Sequence, residues 1–564
     1  MTYKFNAKHI MVMFLFMGIF FGSLRNMGDM DIWFQLLAGK YVIDHGAVPH
    51  NDFFIYAGVQ NAQIFGGWGF GLIYEFFIER FGLESSTYIN STIWTASFVF
   101  AIKAAQLRSR ILFKELTVNQ FLGLSIVIAM VFIGLSMRMA MRAESTLVLS
   151  WTLSMWLFEL SKSRNSVWRY WIALPLLGWA EALLHTGGFV LLLAVPINAA
   201  YSFKEMGSKK IFWTGWAACL LALLLLPVIN PNGFSQVYIQ FSGILNSLTV
   251  DLLKSAATLN LEYLPMWDSR SAGSLISFSS VVIIGGLIWI RRRGPGYYVE
   301  NVLCLVFLAM AALHNRGISL AAMLLMVPAF EVAMTHKFLK FRAHGSVSCM
   351  LFVFLCGVPT AVSYSRNNFG FQGPSTGLES EAAIIKKGRP NGAHILTTEN
   401  GPALAYTLRD ERFLVSKGGH ALVVNKEAEN HQSLAIFGGE GWEADFEANK
   451  VDFVCVPFYL PMPGQGVFYW IPSVLVARND WKLHIGGACN LLEHLPPNKT
   501  LTKKEVQKQT IIYLQNLAIF SEAEYYGQPD KLGQAIGRKA TIKLKKAIED
   551  YTSEEEDQSA QNNQ

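Results

Sequence analysis

The chain has 564 residues, 52% of them hydrophobic and only 16% charged, and its mean hydropathy of +0.30 excludes a soluble globular enzyme. The net charge of +6 does not signal nucleic-acid binding either. The basic residues sit in short clusters beside apolar runs, which is the pattern of membrane topology.

Hydrocarbon about 30 Å thick takes roughly 17–25 apolar helical residues. Eleven stretches answer to that description, near 10–27, 86–104, 117–136, 145–161, 170–185, 187–203, 212–229, 274–290, 298–313, 317–335 and 346–363. The first follows Lys4 and Lys8 and has no small-x-small cleavage site after it, so it reads as a retained signal anchor with Arg25 able to snorkel. With the N-terminus inside, the cytoplasmic loops hold Lys103, Arg108, Arg110, Lys114, Lys162, Arg164, Arg169, Lys204, Lys209, Lys210, Arg291–Arg293, Lys337, Lys340 and Arg342. The opposite loops hold only Arg25, Lys40, Arg138, Arg142, Lys254, Arg270 and Arg316 over more chain. That asymmetry orients the protein N-in and C-out.

Gln63–Phe81 is apolar enough to span but carries Glu75, Glu79 and Arg80. Counting it would turn the basic cluster 103–114 outward, so it reads as an interfacial or re-entrant helix. Its glycines (Gly66, Gly67, Gly69, Gly71) would allow close packing against neighbouring spans.

Four cysteines, Cys219, Cys304, Cys349 and Cys356, fall in expected spans and read as small buried apolar residues. Past the spans, 364–374 is a polar linker rich in Asn and Gly. Over 375–500, runs such as His394–Thr398, Phe413–Ser416, Val451–Phe458 and Val474–Arg478 alternate with helix-like and Gly-rich pieces, which reads as a small α/β domain. Cys455 and Cys489 lie there; an oxidising compartment would permit a disulfide, though nothing in the sequence fixes their distance. Residues 501–553 look helical, and 554–564 form a solvated acidic tail. Asn498-Lys499-Thr500 is a sequon by pattern only.

The first outer loop, 28–85, is the richest in carboxylates. Asp29 and Asp31 stand just beyond the first span, where Ile32, Trp33, Phe34, Leu36 and Leu37 can anchor a short helix in the interface. A partly desolvated carboxylate there is a stronger base toward an incoming hydroxyl or amine. The plain alternative is that Asp29 caps the helix and Asp31 complements its dipole. Arg142 and Arg316 sit at outer ends of different spans and suit a bidentate grip on a lipid phosphate, or else interfacial anchoring, which fits Arg138 better than Arg142. His185 suits donation to a phosphate or a satisfied place at a span end. Glu262 orients an acceptor or solvates its loop, and Asp52 is able to pair with Asp31 around a divalent cation. Two carboxylates make a weak metal site, so no cofactor is expected.

The run D-x-D-x-W-(x)5-G-(x)6-G-x-x-P-x-x-D from Asp29 to Asp52 resembles the GT-C glycosyltransferase superfamily. It is particularly similar to bacterial members related to protein O-mannosyltransferases and aminoarabinose transferases. Arg142-Ala143-Glu144, the stretch from Trp179 to His185-Thr186-Gly187-Gly188-Phe189, Asn230-Pro231-Asn232-Gly233 and Asn315-Arg316 extend the likeness over roughly 10–490. Two positions depart from the pattern: Gln35 stands where His is expected, and Gly66-Gly67-Trp68 lacks an acidic residue before the Trp.

The resemblance implies a polytopic α-helical membrane protein of about eleven transmembrane helices, GT-C-like over 1–363, with a C-terminal extracytoplasmic α/β domain. It implies an inverting transfer from a polyprenyl-phosphate sugar donor to an extracytoplasmic protein, lipid or glycan at a bacterial inner membrane. Asp31, or failing it Asp29, would be the base, and Arg142, His185 and Arg316 would hold the phosphate. Other partners would be membrane lipids and proteins met through the C-terminal domain. The rivals are an inactive scaffold on the same fold and a lipid or solute transporter. A transporter would favour ionisable residues near mid-span; here they gather at outer ends, with Glu159, Glu181 and Glu300 as exceptions.

Overall fold

The computed structural model describes residues 7–25, 30–51, 53–56, 67–136, 138–164, 166–185, 272–291, 298–313, 315–336, 345–365, 376–398, 400–416, 440–456, 460–462, 465–467, 470–484 and 489–527, with single positions such as Leu191, Trp216 and His431. The expected spans at 187–203 and 212–229 fall almost wholly outside these. The chain forms two units. One comprises Met1–Val48 and Ile64–Ser375, the other Pro49–Gln63 and Thr376–Gln564.

The first unit is helical: α1 (Ala7–Gly22), α2 (Met30–His45), α3 (Trp68–Phe81), α4 (Ser85–Ser109), α5 (Val118–Leu135), α6 (Glu144–Ser163), α7 (Val167–Leu184), α8 (Ala272–Arg291), α9 (Tyr298–Leu313), α10 (Asn315–Thr335) and α11 (Gly345–Ser365). Among the described residues, Val118–Leu135, Ser274–Arg291 and Gly317–Thr335 are long and apolar enough to cross a membrane, and Ile10–Gly22 and Met350–Val362 are shorter apolar helices. The chain is therefore a membrane protein by its apolar helices. The 317–335 window is 89% buried and the 274–291 window 39%, so α10 is the axis of the bundle and α8 a peripheral helix.

Glycine sets the closest crossings. Gly18 and Gly22, one turn apart on α1, face α11: a Cβ on Gly18 would lie 2.1 Å from the Cys356 carbonyl oxygen, and one on Gly22 2.4 Å from the Pro359 Cβ. On α2 and α3, a Cβ at Gly39 would meet Gly71 at 2.1 Å, and one at Gly71 would meet the Gln35 carbonyl oxygen at 1.8 Å. The glycines of 63–81 thus do pack closely, against α2 and, through Gly69, against the Leu183 carbonyl of α7. Phe70, Tyr74 and Ile78 form the buried stripe of α3, while Ile73, Phe76 and Phe81 are exposed.

The C-terminal turn of α5 draws in three other segments. The guanidinium of Arg25 donates to the Ser136 carbonyl at 2.7 Å, Ser277 of α8 to Ile133 at 3.0 Å, and Ser319 of α10 to Gly134 at 3.3 Å. Arg25 is only 1% exposed. It therefore does not snorkel as its place after the first span suggested; it caps carbonyls that no helical N–H reaches.

The second unit holds a five-stranded sheet in the order β2-β1-β3-β7-β6: β1 (Ala393–Thr397), β2 (Phe413–Val415), β3 (Val451–Val456), β6 (Trp481–His484) and β7 (Asn490–His494). A two-stranded hairpin, β4 (Leu460–Met462) and β5 (Gln465–Val467), stands apart. The β1 strand pairs in parallel with β2 and β3, and β7 pairs antiparallel with β3 and β6. Helices α12 (Glu379–Gly388), α13 (Gly401–Leu408), α14 (Trp442–Ala448), α15 (Trp470–Leu475) and α16 (Lys503–Gly527) complete the α/β unit. The central strands read as continuous apolar runs because both faces are buried. Val474–Arg478 is no strand: α15 starts at Trp470 with Pro472 in its first turn, where a missing N–H costs nothing. Gln509 of α16 bonds the Leu483 amide at 3.0 Å and the Trp481 carbonyl at 3.0 Å, so α16 covers the β6 edge. A disulfide joins Cys455 of β3 to Cys489 just before β7, and the Cys489 amide donates to buried Glu381 at 3.1 Å.

Gly71→Ala is expected to lower the melting temperature of the purified protein, with a cost of about 1–3 kcal/mol from overpacking. Gly286→Ala, where a Cβ meets nothing within 4 Å, should leave it unchanged in the same thermal-shift assay. Replacing both Cys455 and Cys489 by Ala should destabilise the second unit by about 3–4 kcal/mol, from the chain entropy of closing a 34-residue separation, read as an earlier unfolding transition in calorimetry.

Candidate functional site

The chain around two of the sequence-predicted positions, Arg142 and His185, comes together beside α2. The connection between α5 and α6 is pinned by Met139 and Met141, both fully buried, and by Asn90, which donates to the Met139 carbonyl at 3.3 Å. Two arginines on that connection converge on one carboxylate. Arg138 lies 3.4 Å and Arg142 3.7 Å from Glu144 at the start of α6. The N-terminal dipole of α6 adds positive potential beside them, and guanidinium groups at a helix start are a chemistry that suits an anion. Arg138, expected at the interface as an anchor, is 8% exposed and belongs to this cluster.

His185 follows the last turn of α7, and its amide caps the helix by donating to the Glu181 carbonyl at 2.7 Å. The Glu181 side chain is fully buried between α7 and α6, with Thr146 at 2.9 Å and Ser150 at 2.7 Å on its two oxygens. The carboxyl thus fixes the helix that follows Arg142 to the helix that precedes His185.

Gly67 joins these pieces to α2 and α3. Its φ of +84° suits glycine, and a Cβ there would lie 3.3 Å from the Leu184 carbonyl oxygen, 3.5 Å from Gln35 Nε2 and 3.6 Å from the Ala143 Cβ. The chain neighbours of Arg142 and His185 therefore meet at Gly67, together with Gln35. Asp31 stands one turn before Gln35 on α2. Arg316 is the second residue of α10, three positions before the Ser319 that caps α5. Asp29, Asp52 and Glu262 lie outside the described residues, so nothing places them.

Two features were invisible as a site in the sequence. In the sequence Glu181 stands out only as an ionisable residue away from the outer ends of spans, and Glu144 only as part of a motif rather than as the partner of two arginines. The spacing Glu181–His185, one helical turn, was the available signal. Among the described residues no group of three or more His, Cys, Asp or Glu is placed to hold a metal ion.

The fold is similar to that of the archaeal oligosaccharyltransferase AglB from Archaeoglobus fulgidus, solved in complex with an inhibitory peptide and a dolichol-phosphate. The TM-score is 0.54 at 10% identity, covering 90% of this chain and 78% of that one. At that identity the likeness carries the fold alone. No family model matches the sequence, and no curated protein matches it significantly.

Glu181→Ala should destabilise the protein by about 1–3 kcal/mol, since the buried Ser150 hydroxyl loses its partner and Thr146 keeps only the Ala143 carbonyl. Glu181→Gln, which keeps an acceptor and a donor in place, should lose less; thermal unfolding of the two variants in detergent compares them.

Proposed function

We propose that this protein is a membrane glycosyltransferase that moves a sugar from a polyprenyl-phosphate donor to an acceptor on the extracytoplasmic face. The observation that carries the reading is the meeting of α2, the α5–α6 arginine connection and the end of α7 around Gly67. It occurs within a fold shared with an oligosaccharyltransferase bound to a dolichol-phosphate.

The chemistry needs one base and a stabilised leaving group. Asp31 accepts the proton of the acceptor hydroxyl or amine as that atom attacks the anomeric carbon. The carbon–oxygen bond to the phosphate breaks, its electron pair stays on the phosphate oxygen, and the anomeric configuration inverts. Arg142, His185 and Arg316 balance the charge that develops on the leaving phosphate. Asp29 is the second candidate base. Asp52 and Glu262 are assigned to the acceptor side, and no metal is part of this scheme.

The disulfide between Cys455 and Cys489 supports a tail unit exposed to an oxidising compartment, in keeping with N-in, C-out topology. A bacterial inner membrane with the tail in the periplasm is the setting this implies.

One observation favours a second reading. The two departures from the GT-C pattern, Gln35 and Gly67, are neighbours in space, so a single spot lacks both an imidazole and a carboxylate. A scaffold that keeps the fold and has lost the transfer chemistry would look like this.

Mass spectrometry of lipids that co-purify with the protein separates the two. A polyprenyl phosphate or its sugar adduct should accompany the wild type and be lost from Arg316→Ala. Asp31→Asn should keep the lipid and lose at least about 100-fold in transfer rate. Bulk phospholipid alone in both wild type and Arg316→Ala would favour the scaffold.

A further inference from the structure

The helices α2 and α3 touch each other through Gly39 and Gly71, and packed helices are ordinarily joined by about 2–8 residues. Here the connection runs from residue 46 to residue 67. Its part Pro49–Gln63 belongs to the second unit, not to the helices it connects. The chain leaves one unit, is used by the other and returns.

What the second unit does with it is specific. Ile55 pairs in parallel with Val415 of β2. The Val415 amide donates to the Phe54 carbonyl at 2.9 Å, and the Tyr56 amide donates to the Val415 carbonyl at 3.1 Å. The segment is thus a further, very short strand on the β2 edge, with Phe54 and Ile55 buried. Two backbone hydrogen bonds would not hold so short a strand by themselves.

The Tyr56 side chain supplies the rest through a closed ring of contacts. Its hydroxyl donates to His431 Nε2 at 2.6 Å, and His431 Nδ1–H donates to Asp445. Asn449 Nδ2 donates to the other Asp445 oxygen at 3.1 Å. The Asn449 carbonyl accepts from His394 Nδ1 at 2.6 Å. The His394 ring then stacks on Tyr56, 4.8 Å between centroids and 4° from parallel. One tautomer of each histidine satisfies the whole circuit. Burial pushes the Tyr56 phenol well above its ordinary value, which keeps it a donor. His431 is 2% exposed, so breaking the ring leaves polar groups stranded.

We propose that the ring of Tyr56, His431, Asp445, Asn449 and His394 is the anchor by which the tail unit holds the first outer loop. In this assignment Tyr56 is a positioning residue for the helix that carries Asp31. Residues 46–53 separate that helix from the anchored strand Phe54–Tyr56. The part of the proposal that concerns transfer rests on the glycosyltransferase reading; the anchor itself does not.

Hydrogen exchange on the full-length protein tests the anchor without any activity assay. Tyr56→Phe keeps the stacking on His394 and loses the hydroxyl; Tyr56→Ala loses both. Exchange of the Tyr56 and Val415 amides should rise at least about tenfold in Tyr56→Phe and further in Tyr56→Ala, with β3 and β7 amides as protected as in wild type. Wild-type protection at Tyr56 and Val415 in Tyr56→Ala would overturn the anchor, and so would loss of β3 and β7 protection already in Tyr56→Phe, which would mark the tyrosine as ordinary core. In a transfer assay the variants should lose kcat with KM for the lipid donor unchanged, and full kcat with the loop released would overturn the positioning role. A wild type that binds no polyprenyl phosphate would refute the preceding reading, while the exchange result would still decide the anchor.

Discussion

The C-terminal turn of α5 constrains the helical unit more than any other single place. A helix leaves its last four carbonyls without intrahelical donors, and in hydrocarbon no water is there to serve them. Here Arg25 and Ser319 arrive at the Ser136 and Gly134 carbonyls, and Ser277 adds a bond to the Ile133 carbonyl that Ser136 already reaches. Each donor is useful only if its own helix ends at the right depth. The requirement therefore sets the positions of α1, α8 and α10 relative to α5. It also fixes where the chain leaves α5, and so where the arginines of the next connection stand. The guanidinium of Arg25, far from being a surface charge, is buried and spent on a carbonyl. Arg138 and Arg142 lie against Glu144 at the start of α6.

Close backbone approach is the second constraint, and it acts at the same end. Gly39, Gly67, Gly69 and Gly71 let α2, α3 and α7 come together with no side chain between them. Main-chain carbonyls and the Gln35 amide are left to form the floor of the cluster. Such a floor is rigid because its parts are backbone, and a side chain set on it has little freedom to move. Glu181 performs the equivalent task between α6 and α7 by hydrogen bonding, where the sequence offers hydroxyls instead of glycines.

Much of this was legible in the sequence, and the failures share a cause. Apolar length located the helices that the structure describes, and the glycines of 63–81 announced their packing. Among the described residues, three helices meet the membrane-crossing standard. In α4, serine and threonine lower the apolar sum although their hydroxyls are already used: Thr92, Thr95 and Ser97 return them to their own helix, at Tyr88, Ser91 and Ile93. A hydropathy sum counts those hydroxyls as polar, although their hydrogen bonds are already made. The fates of Arg25 and Arg138 were unreadable because they depend on partners more than a hundred residues away or across a helix start. In the tail, continuous apolar runs marked β1 and β3. The edge strand β6 has only four residues with alternating burial, too short a pattern to separate from a turn, and Val474–Arg478 was mistaken because its apolar run belongs to a helix end.

The loop that carries Pro49 and Tyr56 shows why a motif can mark a region without revealing its architecture. The pattern from Asp29 to Asp52 reads as one continuous sequence signature, yet it crosses from one unit of the molecule to the other between Val48 and Pro49. Its first half lies on or beside a helix that packs against α3. Its second half leads into a strand that completes a sheet built mostly from residues beyond 390. A chain arranged in this way cannot fold its first outer loop to completion until the tail has been made. In a protein that is threaded into a membrane from its N-terminus, helix insertion precedes that moment.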